Sequence, residues 1–421
     1  MSETTKDAKR RKTVARHGNL SSPSVGGQIA RFVAVALAVV LVSGVGVIGY
    51  TTYTAVADFS ASAVELEGQE SVPPDIGEIE GGVNLFVAGT DACEPDYAAY
   101  FGDRCTGADA GGELNDVNML IHISDEPRRV TVISFPRDLM IPIPECTDPD
   151  TGRTTSAMTK QPLNSTFSYG GLSCAVKTIS ELTGQNIPFA AAVTWGGVIE
   201  ITNAVGGVEV CIANGIKDPY TGIDWPEGNK SLVGLEALQF LRTRHGVGNG
   251  GDLGRISNQQ QYMSRLARKL VSEEVLSNPT TLFGLATTAL SNVTPSQTLR
   301  NPLTLTQIAL AVKNVPFDEI VFISYPVNGD AADPDKVVPN YTAADSLWAA
   351  LETNRPLQLT GKSGQGDGVI VETPAPTDPA EPTEAATPGT PVDPSEEAIA
   401  LPPAVTGQTA AQETCSNGNV R

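Results

Sequence analysis

The sequence predicts an α/β fold, a sheet flanked by helices on both faces, carried behind one membrane-spanning helix. Three observations predict it. Short β-branched runs bounded by Gly, Asp or Pro alternate with segments of helical period between Val83 and Leu351. The run Phe32 to Tyr50 holds no charged residue. Beyond about Gly364 the chain turns to Pro, Thr, Glu and Ala with almost no large apolar side chains.

The N-terminal run comes first. At about 1.5 Å per residue it covers a hydrocarbon core of about 30 Å. Lys6, Lys9, Arg10, Arg11, Lys12, Arg16 and Arg31 precede it, so the positive-inside rule places the N-terminus in the cytoplasm and the remainder outside. The run exceeds the h-region of a signal peptide, and Ala-Ser-Ala at 61–63 lies far past it, which favours an uncleaved anchor. The expected organisation is a basic cytoplasmic segment at 1–31, a cell-membrane anchor at 32–50, a stalk at 51–80, an extracytoplasmic catalytic domain at 81–362 and a disordered tail at 363–421.

Within the domain, Val83 to Ala88, Val117 to Ile123 and Val130 to Phe135 read as strands. Ala175 to Leu182 reads as a helix closed by Gly184, Ile187 to Thr194 as a strand, Gly197 to Ala204 as a short helix and Val208 to Ile212 as a strand. Leu235 to Leu241, Ile256 to Leu270, Leu305 to Val312 and Ala343 to Leu351 read as helices, and Ile320 to Ser324 as a strand.

Formal charge is −20, which argues against a broad nucleic-acid surface. An anion site in so acidic a chain must be a local arginine cluster. Six cysteines fit an oxidising compartment. Cys93 and Cys105 bracket a polar loop and are the expected pair; Cys146 and Cys174 bracket another loop; Cys211 and Cys415 are left. Six cysteines allow fifteen pairings, and the last two pairings stay open at this point.

Four segments carry chemistry. Asp91 ends a strand and Asp116 opens another, and two such carboxylates can share a hard cation such as Mg²⁺. Arg137 follows Pro136 at the end of a strand, where the proline stops the ladder and the arginine projects from the sheet edge. Arg242 and Arg244 are two apart, pointing the same way in extended backbone, and two guanidinium forks suit a pyrophosphate. Asp252 opens a helix on which Arg255 and Gln259 share one face. Taken singly, each is an ordinary surface feature; their concentration in 242–260 of an arginine-poor domain points to a site. His17, His122 and His245 have no triad motif around them.

These residues resemble the LytR-CpsA-Psr family of cell-envelope proteins. The resemblance runs from about Val83 to Leu351, through Gly89-Thr90-Asp91, Ser134-Phe135-Pro136-Arg137-Asp138, Leu163 to Gly171, Val205-Gly206-Gly207-Val208, Gly234 to Leu238, Arg242-Thr243-Arg244 and Asp252-Leu253-Gly254-Arg255. It implies a three-layer α/β/α sandwich with a central mixed sheet and a polyprenyl chain in an apolar pocket, toward which Val193, Trp195, Val198 and Ile199 are the available apolar side chains. It also implies phosphotransfer of a polyprenyl-pyrophosphate-linked glycopolymer onto peptidoglycan with Mg²⁺. By position, Asp91 and Asp116 resemble the metal-linked carboxylates; Arg137, Arg242, Arg244 and Arg255 resemble pyrophosphate-binding arginines; Asp252 and Gln259 resemble the other polar members. Two positions depart from the pattern: Leu114 and Asn258 stand where the family usually has arginine, and Arg104, in the Cys93–Cys105 loop, is a candidate substitute. A pyrophosphatase using the same site and a non-catalytic polyprenyl-phosphate-binding scaffold are the alternative readings. A transcription regulator is disfavoured by the absence of a helix-turn-helix pattern in residues 1–31.

Overall fold

In the computed structural model, residues 25–70, 82–107, 112–149, 151–272, 275, 278–372 and 397–420 are described. The chain divides into two bodies, 1–54 and 55–421. Helix α1 (Val25–Ala61) is long and apolar enough over Gln28–Ala61 to cross a membrane, and in the first body its side chains from Gln28 to Tyr50 are all exposed. The stalk expected at 51–80 is not a separate element where it is described. The helix runs on to Ala61, Phe59 is buried in the second body, Ser60 Oγ donates to the Arg300 carbonyl at 3.0 Å, and Glu67 pairs with Lys177 at 3.2 Å.

The second body is built from strands β1 (Val83–Thr90), β2 (Asn115–Ile123), β3 (Val130–Phe135), β4 (Phe189–Thr194), β5 (Val208–Asn214), β6 (Gly228–Leu232), β7 (Val293–Pro295), β8 (Ile320–Ser324), β9 (Val369–Val371), β10 (Thr406–Thr409) and β11 (Thr414–Asn417). Its main helices are α2 (Thr166–Thr183), α3 (Trp195–Ala204), α4 (Leu235–Arg242), α5 (Asp252–Leu270), α6 (Pro279–Asn292), α7 (Pro302–Val312) and α8 (Tyr341–Glu352).

Seven strands form the central sheet in the order β7-β4-β1-β2-β3-β8-β10. β1–β4 and β3–β8 are parallel and the other pairs antiparallel, so the sheet is mixed. Side chains alternate across it. Phe86, Ala88, Leu120, Ile133 and Phe135 face α2 and α8, meeting Ala175, Ile179 and Leu347. Leu85, Val87, Met119 and Val132 face the other way, toward Met263 of α5 and Leu305 and Ile308 of α7. One sheet with an apolar cluster and helices on each face makes three layers. A second sheet, β6-β5-β11-β9, packs against α4 and α5 through Val208, Val210, Phe240 and Tyr262.

The C-terminal segment corrects the disordered tail expected at 363–421. β10 pairs antiparallel with the sheet edge from Val321↔Thr409 to Ser324↔Thr406, and β11 is fastened to β5 by the Cys211–Cys415 disulfide. An open sheet edge supplies backbone partners that a polar segment cannot find alone, and a cross-link over 204 residues removes much of the cost of bringing it back. Residues 373–396, which hold most of the Pro/Thr/Glu-rich stretch, and the basic residues 1–24 lie outside the described residues. Cys93–Cys105 and Cys146–Cys174 are the other two disulfides.

Candidate functional site

The sheet topology gathers one end of three strands. Thr90 at the end of β1 lies opposite Asn115 at the start of β2, and Asn118 lies opposite Phe135 at the end of β3. Asp91, Asp116 and Arg137 therefore leave the same edge of the sheet. Arg137 Nη1 donates to Asp116 Oδ1 at 3.0 Å, and its Nε lies 3.5 Å from Asp138 Oδ2 and 3.6 Å from Asp252 Oδ1. Arg255 Nη2 donates to the Asp116 carbonyl at 2.9 Å and lies 2.7 Å from Asp252 Oδ1. The first turn of α5 thus joins the strand ends through an alternating series of carboxylates and guanidinium groups.

This arrangement sets the charges. Burial alone would push the Asp116 carboxyl up; Arg255 and Arg137 outweigh it and hold that carboxyl below the usual carboxylate range. Burial likewise opposes the charge on Arg137, but Asp116, Asp252 and Asp138 outweigh it and raise its pKa. Asp252 Oδ2 is buried and makes no hydrogen bond.

Beside this network lies an apolar cavity of about 210 Å³. Val87, Val193, Trp195, Val198, Leu241 and Leu266 are among its walls, and Asp116, Arg242, Arg255 and Gln259 also line it. Ile199, expected from sequence in the pocket wall, is not part of it and packs with Trp195, Phe101 and Leu238. Within the cavity wall, Thr202 Oγ1 and Tyr262 Oη are 2.7 Å apart, and burial pushes the Tyr262 hydroxyl up to about 12. Arg242 ends α4 with its guanidinium carbon 3.9 Å from the Trp195 ring centroid and 5.4 Å from that of Phe101. Burial and the neighbouring Arg255 lower its pKa, against the pull of Asp116 and Asp91.

Arg244 departs from the sequence reading. Arg242 is the last residue of α4, Thr243 is extended and a turn begins at His245, so the two arginines do not share one extended run; the buried Asp218 carboxylate organises this loop. Asp218 Oδ2 accepts from Thr243 Oγ1 at 2.8 Å, from the Arg244 N–H at 3.0 Å and from the His245 N–H at 3.1 Å. The Arg244 side chain is outside the cavity wall, its Nη2 3.4 Å from His245 Nε2. Sequence reasoning missed Asp218, which lies 26 residues from the loop it holds.

Asp91 is buried, and both of its oxygens are engaged. Arg104 Nε donates to Oδ2 at 2.7 Å, and the Leu114 N–H donates to Oδ1 at 2.7 Å. The Cys93–Cys105 loop therefore brings an arginine to Asp91, and the backbone of Leu114 supplies a second donor. Asn258 is fully buried, with Nδ2 donating to the Phe240 carbonyl at 2.9 Å and Oδ1 accepting from Ser416 Oγ. Gln259 Nε2 donates to the Leu241 carbonyl at 2.9 Å, so this cavity residue also caps the end of α4. Asp91 and Asp116 are hard oxygen donors that keep lone pairs beyond their guanidinium partners, so their chemistry fits Mg²⁺.

Comparison with known proteins follows the same ground. The model of the LytR_cpsA_psr family matches residues 49–353. The cell wall biosynthesis protein LcpA of Corynebacterium glutamicum is 28% identical over 316 residues, covering 70% of this chain and 58% of its own length. The polyisoprenyl-teichoic acid–peptidoglycan teichoic acid transferase TagU of Enterococcus faecalis is 28% identical over 164 residues, covering 39% of this chain and 50% of its own. The chain spans about half the length of the curated relatives it matches. Among solved structures, B. subtilis TagV is 20% identical and covers 65% of this chain and 97% of its own, with a TM-score of 0.49.

Proposed function

Because the chain belongs to the LytR-CpsA-Psr family, we propose that it is a phosphotransferase that moves a glycopolymer from a polyprenyl-pyrophosphate carrier onto peptidoglycan. The observation that carries this reading is the junction of an apolar cavity with a cationic mouth. The cavity suits an isoprenoid tail, and Arg242, Arg255 and Arg137 suit the pyrophosphate at its head. The relatives named above, a cell wall biosynthesis protein and a teichoic acid transferase, support the same class of reaction.

A hydroxyl of peptidoglycan attacks the sugar-linked phosphorus. The bond from that phosphorus to the bridging oxygen breaks, and polyprenyl phosphate leaves. Phosphoryl transfer depends on in-line positioning and charge stabilisation. Arg242 is suited to that work, since its stacking partner fixes the guanidinium plane and among the described residues it has no ion pair with a carboxylate. Asp252, whose Oδ2 makes no hydrogen bond, accepts the proton of the attacking hydroxyl. Asp91 and Asp116 would hold Mg²⁺, which would supply further charge neutralisation. The basic residues before α1 support a cytoplasmic N-terminus and an extracytoplasmic site on a single-pass anchor in the cell membrane.

The test uses the full chain in detergent with a polyprenyl-pyrophosphate-linked glycan, peptidoglycan and Mg²⁺. Glycan bound covalently to peptidoglycan, with one polyprenyl phosphate released per transfer, is the expected result. Release without transfer means a pyrophosphatase, and binding without either means a scaffold.

A further inference from the structure

We propose a second ligand site, for an uncharged polyhydroxyl carbohydrate, at the opposite end of the sheet from the arginine cluster. It rests on the chemistry of a separate cavity and not on the transferase reading. β1 and β2 carry both ends. Thr90 pairs with Asn115 beside the arginines, whereas Asn84 pairs with His122 at the far end, about 20 Å away along the strand at ~3.3 Å per residue.

At that far end lies a cavity of about 410 Å³, between the sheet and the last turn of α8. His122, Glu126, Gln185, Trp348, Glu352 and Asn354 are among its walls. His122 is 8% exposed, and its Nδ1 is 2.9 Å from Asn84 Oδ1. With the proton on Nδ1 for that bond, Nε2 is left as an acceptor with no partner among the described residues, on a side chain that lines the cavity. Burial holds this imidazole neutral, its pKa pushed down to about 4.

The wall is also rigid. Asn354 sits at φ +50°, a left-handed conformation that asparagine tolerates. It is held there by Arg129 Nη1, which donates to its carbonyl at 2.7 Å, and by its own Nδ2, which donates to the Asp125 carbonyl at 3.0 Å.

The chemistry selects among ligands. Among the described residues no Lys or Arg lines the cavity; in the adjoining cleft Arg129 is paired with Glu319 at 2.8 Å and Arg355 donates to the Glu397 carbonyl. A phosphate inside the cavity itself therefore meets Asp125, Glu126 and Glu352 and no lining cation. Among the described residues these carboxylates do not converge as a metal-holding group. Acceptors spread around a concave wall, with one indole among them, match the distributed hydroxyl donors and apolar ring faces of a sugar.

The experiment titrates the full chain in detergent with N-acetylglucosamine tetramer, read by ligand-observed NMR and calorimetry. Sodium phosphate and choline are run as parallel probes. Binding of the tetramer is expected, weakened at least about fivefold in both Glu352→Gln and His122→Gln, as loss of one hydrogen bond at each implies, and unchanged in Arg242→Ala. Glu352 is exposed, so its variant keeps the test valid if the His122 variant unfolds. The proposal is overturned by absence of tetramer binding up to about 10 mM, by binding that Glu352→Gln leaves intact or Arg242→Ala abolishes, or by tighter binding of phosphate or choline. Tetramer binding here and transfer at the arginine cluster are separate readouts, so either can fail alone.

Discussion

The guanidinium carbon of Arg242 lies 3.9 Å from the centroid of the Trp195 indole. A planar cation on an aromatic face keeps its charge while its hydrogen-bond donors stay available. Arg137 and Arg255 are committed to Asp116 and Asp252, whereas Arg242 has no ion pair among the described residues.

Arg242 is therefore expected to matter more than Arg244. Arg242→Ala removes a charge-assisted contact to the transferring group, a loss of about 2–4 kcal/mol, or about 30- to 1,000-fold in rate. Arg242→Lys restores little, because a lysine lacks the planar fork. Arg244→Ala costs about tenfold or less, since its guanidinium faces His245 outside the cavity. Initial transfer rates of the three variants, with thermal melts to confirm folding, decide the order.

Asp218 holds the loop that follows Arg242 through three donors on one oxygen. Asp218→Ala leaves those donors unpaired in a buried place, each at about 1–3 kcal/mol if water does not replace the carboxylate. The melting temperature is expected to fall by several degrees. Hydrogen exchange of the Arg244 and His245 amides, both bonded to Asp218 in the parent, is expected to rise.

Stability should fall on the acid side because of His122. Its folded pKa, near 4, lies below the unfolded value of about 6.5. Above pH 6.5 both states are neutral and nothing is lost. Between about pH 6.5 and 4 the unfolded state takes up the proton first, so stability declines by up to about 3 kcal/mol. Denaturant midpoints of the parent and of His122→Gln, compared from pH 7.5 to 4, are expected to show the smaller slope in the variant.

The Cys211–Cys415 disulfide closes the longest loop in the protein, 204 residues. Cys211→Ser with Cys415→Ser is expected to cost about 2–5 kcal/mol and to loosen β11 from β5. Melting temperature and limited proteolysis near residues 414–417 measure it. An unchanged melt would mean that the pairing of β11 with β5 and β9, together with the hydrogen bonds of Gln261 Nε2 to the Cys211 and Thr414 carbonyls, holds the segment without the cross-link.

Much of this architecture is written locally. β3 reads as a strand because Val130 to Phe135 is β-branched, apolar and stopped by Pro136, and all six residues are buried. Asp116, Arg137, Asp252 and Arg255 meet because each sits at an element end, which sequence marks well. The orientation of Arg244 is not local, since its loop depends on Asp218 from the Ile216–Trp225 hairpin. β10, with the sequence Thr-Gly-Gln-Thr, carries no apolar period at all. It is a strand because the edge of β8 offers it partners. The helix α2 was legible only in its second half, because Gly170 and Gly171 break the period with non-helical angles after its first turn.

The return of the chain to the body has a practical side. Asn419 N–H donates to the Gly246 carbonyl at 3.1 Å, and Gly248 N–H donates to the Asn417 carbonyl at 2.8 Å. An affinity tag fused after Arg421 therefore begins three residues beyond a contact with the loop that carries Arg244. A handle placed there is expected to disturb these contacts, so transfer rates are better compared on protein tagged before α1.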